Sequence, residues 1–288
     1  SSIYEVPLVL FKEKLDQIVM ERLHLPDKKI NLDSWEQFVQ KVKNPAQKVE
    51  IALCGKYTEH MDAYKSILES FVHAGAENNC KVKVRAISAE KLETDDPQKL
   101  FDGVSGILVP GGFGERGIEG KINAVKYARE NDIPFLGICL GMQCAVIEFA
   151  RNVCNIKNAH SSEFKKNKYS VIDLMPDQKN IKTMGATMRL GAYPCNVKDK
   201  TQAFKAYQHN YISERHRHRY EVNNKFRAKL IDNGMVLSGL SPDRELVEMI
   251  ELPDKKWFVA CQFHPELKSR ATKAHPLFRE FIRASLNE

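Results

Sequence analysis

Strand-like and helix-like segments alternate three times between residues 48 and 152, and this alternation limits the possible folds more than any other feature. The strand-like segments are KVEIALCG, CKVKVRAIS, GVSGILVP and IPFLGI; the helix-like segments cover 61–79, 118–131 and 140–152. Such alternation is typical of parallel strands joined by crossover helices that cover the faces of the sheet. We therefore predict an α/β fold with a mostly parallel central sheet flanked by helices.

The segments outside this region have different patterns. Apolar residues recur at helical spacing over 8–25, and DSWEQFVQKVKN forms a second short helical pattern. We interpret 1–47 as a connecting segment and 48–288 as one domain. Within that domain, β patterns recur at 234–263 and a last helix is expected from 276 to 287. Because the chain begins with serine rather than methionine, we expect it to be a piece of a longer protein.

Composition excludes several classes of protein. The net charge of +7, from 44 basic and 37 acidic residues, is mild and spread along the chain. It would suit an anionic small partner such as a nucleotide, but it is weak evidence for nucleic acid. Seven cysteines without a CxxC pair argue against a zinc site and a thioredoxin-like redox motif. Without a signal peptide or a long apolar run, we expect a reducing cytoplasm and no membrane.

The stretch PFLGICLGMQ frames Cys139 with Gly137 and Gly141. The pattern G-x-C-x-G, after a strand and before a helix, matches a nucleophile elbow, where side chains at the glycine positions would collide with neighbouring elements. The amino end of the following helix favours the reactive thiolate. The alternative is a buried structural cysteine.

The stretch WFVACQFHPEL supplies a base and its orienter, His264 and Glu266. A spacing of two puts both side chains on one side of an extended segment, which Pro265 favours. A His-Pro turn at a strand end is the alternative.

The loop ILVPGGFGERG follows a neighbouring strand and offers a second oxyanion donor. The elbow supplies the backbone N–H of Leu140, and we expect Gly112 N–H to be the other donor. A tight Pro-Gly-Gly turn is the alternative. The loop is not a P-loop, since G-x-x-x-x-G-K-[ST] does not occur in the sequence.

Together these motifs resemble the class I (triad) glutamine amidotransferases. VPGGFGERGIEGK, PFLGICLGMQCAVIEFARNV, GATMRLG, ERHRHRYEVN and CQFHPE are similar to the glutaminase domains of the CTP synthase family, from about residue 48 to 268. The resemblance implies the class I amidotransferase fold over 48–288. It also implies that 1–47 connects to a synthetase half that this chain lacks.

The resemblance further implies glutamine hydrolysis by a Cys139–His264–Glu266 triad through a glutamyl thioester. It assigns the oxyanion to Gly112 and Leu140. The substrate-binding residues that it implies are Gly112, Leu140, Gly141, Met142, Gln143, Glu163 and Arg219.

Partners and cofactors follow from the same resemblance. L-glutamine is the expected substrate, and the ammonia is expected to aminate UTP to CTP in the synthetase half, where ATP and magnesium are expected. No cofactor or metal is expected in this domain, and GTP is a candidate activator through GATMRLG at 185–191. The full enzyme is expected to be a homo-oligomer and this piece a monomer.

Alternatives stay open for the function of the chain and for the role of the RHRHR segment. The chain could serve another triad glutaminase, in guanylate or carbamoyl phosphate synthesis, or it could be a non-catalytic interaction domain of the same fold. The segment RHRHR could form a basic patch, a metal site using His216 and His218, or a solvated edge strand, rather than a site wall with Arg219 inward.

Overall fold

A nine-stranded sheet forms the centre of the molecule in a computed structural model that describes residues 2–26, 28–165, 167–174 and 188–286. The strands in these ranges are β1 (Gln47–Gly55), β2 (Cys80–Ser88), β3 (Gly106–Val109), β4 (Phe135–Ile138), β5 (His160–Ser161), β6 (Ser170–Leu174), β7 (Arg189–Val197), β8 (Tyr211–His218), β9 (Tyr220–Val222), β10 (Val236–Leu240), β11 (Val247–Glu251) and β12 (Phe258–Cys261).

The described helices are α1 (Val6–Lys12), α2 (Leu15–Arg22), α3 (Asp33–Lys43), α4 (Lys65–Glu77), α5 (Lys91–Thr94), α6 (Pro97–Leu100), α7 (Ile118–Glu130), α8 (Leu140–Asn152), α9 (Gln202–Tyr207), α10 (Arg227–Asp232) and α11 (Pro276–Leu286). Within the described ranges, none of these helices has the length and apolar character needed to cross a bilayer.

The strand order is β2-β1-β3-β4-β12-β11-β10-β7-β8. The five strands from β2 to β12 are parallel, whereas β11, β10, β7 and β8 continue the sheet in antiparallel pairs. A small second sheet has the order β5-β6-β9. The predicted α/β class with a large parallel sheet is confirmed, and the antiparallel extension comes from the region after 155 where the sequence pattern was irregular.

Side chains that alternate along the parallel strands pack against helices on both faces. On one face Phe135 stacks on Phe258, with ring centres 4.5 Å apart, among residues of α7 and α8. On the other face Leu136 and Ile138 pack among residues of α4 and α11. Within the sheet, Cys261 pairs with Ile138, so the ends of β12 and β4 lie side by side.

The described part of the first 47 residues contains three α-helices, of which α3 packs against the main domain and α1 and α2 are mostly exposed. The single helix predicted over 8–25 is instead α1 and α2, because Lys14 adopts a left-handed conformation with φ 58° that a continuous helix cannot contain. The third helix, α3, buries Phe38 and Val39 against Ala76 and Ala271 of the main domain. By contrast, most apolar side chains of α1 and α2 are exposed.

Candidate active site

Cys139 lies at the turn between β4 and α8, in a conformation with φ 53° and ψ −104°. Its backbone N–H donates to Cys261 O at 2.7 Å, which fixes the turn to the neighbouring strand. A β carbon on Gly137 would lie 2.9 Å from Cβ of Ala260, and one on Gly141 would collide with the Val109 carbonyl. Only glycine therefore fits on either side of this buried cysteine.

His264 reaches the cysteine from the neighbouring strand. A β carbon built on Gly111 would be 2.9 Å from His264 Cε1 and 3.5 Å from Cys139 Cβ, so the thiol and the imidazole adjoin the same loop. Glu266 binds the far side of the ring, with Oε1 2.7 Å from His264 Nδ1. The structure thus brings Cys139, His264 and Glu266 together in the order that the sequence predicts.

The extended segment predicted for residues 264–266 is partly wrong. His264 has φ −109° and ψ 87°, but a 3-10 turn begins at Pro265 and includes Glu266. Proline is well suited to the first position of such a turn because its φ is fixed and its missing N–H is not needed there. The turn bends the carboxylate back to the Nδ1 side of the ring.

The surroundings of His264 favour its protonated form. Burial opposes the charge, but the interactions with Cys139 and Glu266 outweigh burial and raise the pKa of His264 to about 10. Nε2 of the ring is buried. An imidazole in this setting can take the proton of a nearby thiol and keep it beside the resulting thiolate.

The predicted oxyanion loop lies next to the elbow. A β carbon on Gly112 would be 3.5 Å from both Leu140 Cδ2 and Lys121 Nζ, which places the loop against the first residue of α8. Lys121, which the sequence patterns did not single out, is almost fully buried and donates from Nζ to Pro110 O at 3.4 Å. Burial lowers the pKa of Lys121 to about 8.

Of the residues expected to bind substrate, Glu163 contacts the same loop. Glu163 accepts from Gly114 N–H at 3.3 Å, and burial raises the pKa of its carboxyl. The Gly114 bond and the charges of Lys56 and Arg219 oppose that rise, so Arg219 lies within electrostatic reach of Glu163.

Other expected substrate residues lie on α8, and their side chains are buried rather than open to a substrate. Met142 is fully buried in the core beside α7. Gln143 is also buried, and its amide donates to Tyr220 O at 3.1 Å and to Gln262 Oε1 at 3.2 Å.

Gln262 is a site residue that sequence reasoning missed. Its side chain is fully buried, and Nε2 lies 3.5 Å from the sulfur of Cys139. Its position, one residue after β12 and two before His264, is the sequence feature that could have indicated a role in the site.

The RHRHR segment is an edge strand with two different faces. Arg215 and Arg217 are exposed, while His216 and His218 are buried and joined by a 2.9 Å contact between Nδ1 and Nε2. Arg219 directly follows the strand, within electrostatic reach of Glu163.

Behind the two histidines lies a buried ionic cluster, which consists of Arg189, His216, His218, Glu221 and Glu248. Arg189 Nη2 is 2.7 Å from Glu248 Oε1, and His218 Nδ1 is 3.2 Å from Glu221 Oε1. Burial raises the pKa of both carboxyls and lowers those of His216 and His218 to about 2 and about 3. No group able to hold a metal ion was found among the residues that the structure describes.

Comparison with known families agrees with this geometry. The family model Glutamine amidotransferase class-I matches residues 59–284. The CTP synthase of Chloroherpeton thalassium is 59% identical over 286 residues, which are 98% of this chain and 51% of that protein. The CTP synthase of Methanocaldococcus jannaschii is 54% identical over 294 residues, covering 100% of this chain and 54% of the relative. The chain thus spans about half the length of these relatives.

A solved structure shows the same likeness in three dimensions. It is described as the CTPS glutaminase domain of Trypanosoma brucei with bound acivicin. The two chains are 37% identical with a TM-score of 0.79, and the match covers 83% of this chain and 94% of the other.

Proposed function

The chain belongs to the class I glutamine amidotransferase family, and from that premise we propose that it hydrolyses L-glutamine as the glutaminase half of a CTP synthase. The observation that carries the proposal is the geometry at Cys139. A buried cysteine in a strained strand-to-helix turn adjoins an imidazole whose other nitrogen is 2.7 Å from a carboxylate. This arrangement suits acyl transfer through a thiolate.

The chemistry follows from these positions. The Cys139 proton passes to His264 Nε2, and the sulfur attacks the side-chain amide carbon of glutamine. The N–H groups of Gly112 and Leu140 stabilise the oxyanion. As the carbon–nitrogen bond breaks, His264 returns the proton to the leaving nitrogen, and ammonia departs. Water, deprotonated by His264, then hydrolyses the thioester to glutamate and restores the thiol.

Glutamine recognition can use opposite charges at its two backbone groups. The Glu163 carboxylate suits the substrate ammonium, and the Arg219 guanidinium suits the substrate carboxylate. Gly112 and the segment from Leu140 to Gln143 would line the side-chain amide.

We propose that the ammonia is used outside this chain, to aminate UTP to CTP in a synthetase half with ATP and magnesium. The exposed apolar side chains of the first helices support docking to such a half. Val9, Phe11, Leu15, Ile18 and Val19 are each at least 42% exposed. Exposed apolar side chains concentrated in one short stretch of sequence favour an interaction surface. We retain 1–47 as the connection to that half and 48–288 as the amidotransferase domain.

GTP remains a proposed activator of this reaction. Residues 185–187 of its expected segment lie outside the described residues, and 189–191 begin β7. From the same likeness to CTP synthases, we propose a cytoplasmic location and a homo-oligomeric full enzyme.

The competing functions have less support. The relatives that cover this whole chain are named CTP synthase, which disfavours guanylate or carbamoyl phosphate synthesis. A non-catalytic domain would not need a strained cysteine facing a paired histidine.

Stoichiometric labelling tests the proposal. A diazoketone analogue of glutamine should attach one equivalent to Cys139, and excess glutamine should slow the labelling. The Cys144→Ala control should label normally, since Cys144 is buried in the core. No labelling, or labelling that glutamine leaves unaffected, would favour a non-catalytic domain.

A further inference from the structure

Building on the proposed function, we propose that the side-chain amide of Gln262 is a catalytic hydrogen-bond donor to the Cys139 sulfur. It would stabilise the thiolate before glutamine arrives. The supporting contact is the 3.5 Å separation between Gln262 Nε2 and Cys139 Sγ in a fully buried setting.

The register of two strands places the amide. Cys261, the last residue of β12, pairs with Ile138, the last residue of β4, so the residues that follow each strand are neighbours. Gln262 N–H donates to Glu248 O at 2.8 Å and Cys139 N–H donates to Cys261 O at 2.7 Å. The backbone therefore fixes both side chains relative to each other.

A backbone carbonyl determines which end of the Gln262 amide meets the sulfur. Tyr220 O can only accept, so the Gln143 atom 3.1 Å away must be its NH₂ group. That NH₂ is also 3.2 Å from Gln262, which must present its carbonyl oxygen there. The NH₂ of Gln262 consequently points at Cys139. The reverse orientation would set two NH₂ groups against each other and an oxygen against the sulfur.

A second contact makes the donor selective for the thiolate. Cys139 Sγ lies 3.9 Å from Arg217 O, to which only a protonated thiol can donate. When the proton moves to His264 Nε2, the sulfur keeps the electron pair and loses this contact. The bond from Gln262 then becomes charge-assisted and stronger. The Gln262 amide thus stabilises the thiolate, whereas the Arg217 carbonyl stabilises the neutral thiol.

Other ionisable groups lie within electrostatic reach of Cys139: His264, Lys121, Glu221 and Cys261. All four remain in a variant of Gln262. A difference between wild type and that variant therefore isolates the amide.

The experiment measures the rate at which iodoacetamide alkylates Cys139 as a function of pH, with the labelled site located by mass spectrometry. In Gln262→Met, which keeps the length but removes the donor, the midpoint of the rate profile should rise by about one pH unit, as expected for a lost hydrogen bond to a charged acceptor. Gln262→Glu should raise it at least as far. The control Gln202→Met removes a half-buried amide bond to Lys255 O and should leave the midpoint unchanged.

A second variant tests the orientation argument without substituting Gln262. In Gln143→Glu the new carboxylate accepts from Gln262 and turns its carbonyl toward the sulfur, so the midpoint should again rise. Unchanged or lowered midpoints in either folded variant would overturn the proposal. Because alkylation needs no glutamine, a shifted midpoint in a chain that releases no glutamate would contradict the proposed function alone.

Discussion

Cys139 combines burial, a positive φ of 53° and a position directly before a helix. A non-glycine residue in such a conformation stores strain that the surrounding structure must offset. Here the glycines at 137 and 141 and the bond to Cys261 O hold it. The turn thus holds Cys139 beside the loop residue Gly111, which His264 also adjoins.

The glycine frame gives a stability prediction. Gly141→Ala should destabilise the fold by at least about 3 kcal/mol, because its β carbon would collide with the Val109 carbonyl, which cannot move without disturbing β3. Gly112→Ala is the matched control for stability, since its β carbon would make ordinary contacts at 3.5 Å. Urea unfolding compares the two. Equal stability would mean that the elbow is looser than described.

Substitutions of the three triad residues should reduce glutamine turnover to different extents. His264→Ala should reduce glutamine turnover nearly as much as Cys139→Ala, whereas Glu266→Ala should cost about one to two orders of magnitude less. The Glu266 carboxylate also helps to raise the pKa of His264, so its loss should lower that pKa from about 10. Steady-state rates and histidine titration by NMR check both points. Wild-type turnover in His264→Ala would remove the imidazole from the mechanism.

At the scale of the element, β8 shows what a strand pattern can and cannot predict. Alternation along RHRHR follows from the period of two, and the structure confirms that His216 and His218 share one buried face. Their partners Arg189, Glu221 and Glu248 come from other strands, so no local pattern predicts the cluster. Gln262 and Lys121 were missed for the same reason, because their contacts depend on register and burial. The parallel strands were predictable because their apolar runs are local.

The buried histidines give a prediction about acid stability. Their folded pKa values of about 2 and about 3 lie below the ordinary value for histidine, so the unfolded chain binds more protons below about pH 6.5. Stability is therefore lost as the pH falls. Relative to His218→Asn, the wild type should lose about 1 kcal/mol of unfolding free energy between pH 6 and pH 5.

Urea unfolding at the two pH values measures this difference. His209→Asn is the control, since His209 is exposed, and it should follow the wild type. A difference that does not depend on pH would mean that folding does not lower the pKa of His218.

At the scale of the whole molecule, the proposed function divides labour between this chain and a proposed synthetase half. The chain matches about half of each CTP synthase relative. The open apolar face of α1 and α2 is consistent with that division.

The division predicts how synthesis depends on the nitrogen source. Joined to a synthetase half, the Cys139→Ala chain should make no CTP from glutamine yet keep near-normal synthesis from added ammonia. CTP formation with each nitrogen source measures this. Failure with both sources, in a protein shown to be folded, would mean that Cys139 does more than release ammonia.

The central claim is that Cys139 of this chain attacks glutamine, and glutamate release by the chain alone tests it most directly. Wild type and Cys144→Ala should release glutamate at the same low rate, and Cys139→Ala should release none while melting at a similar temperature. Undiminished release by Cys139→Ala, or loss of release in folded Cys144→Ala alone, would contradict the account.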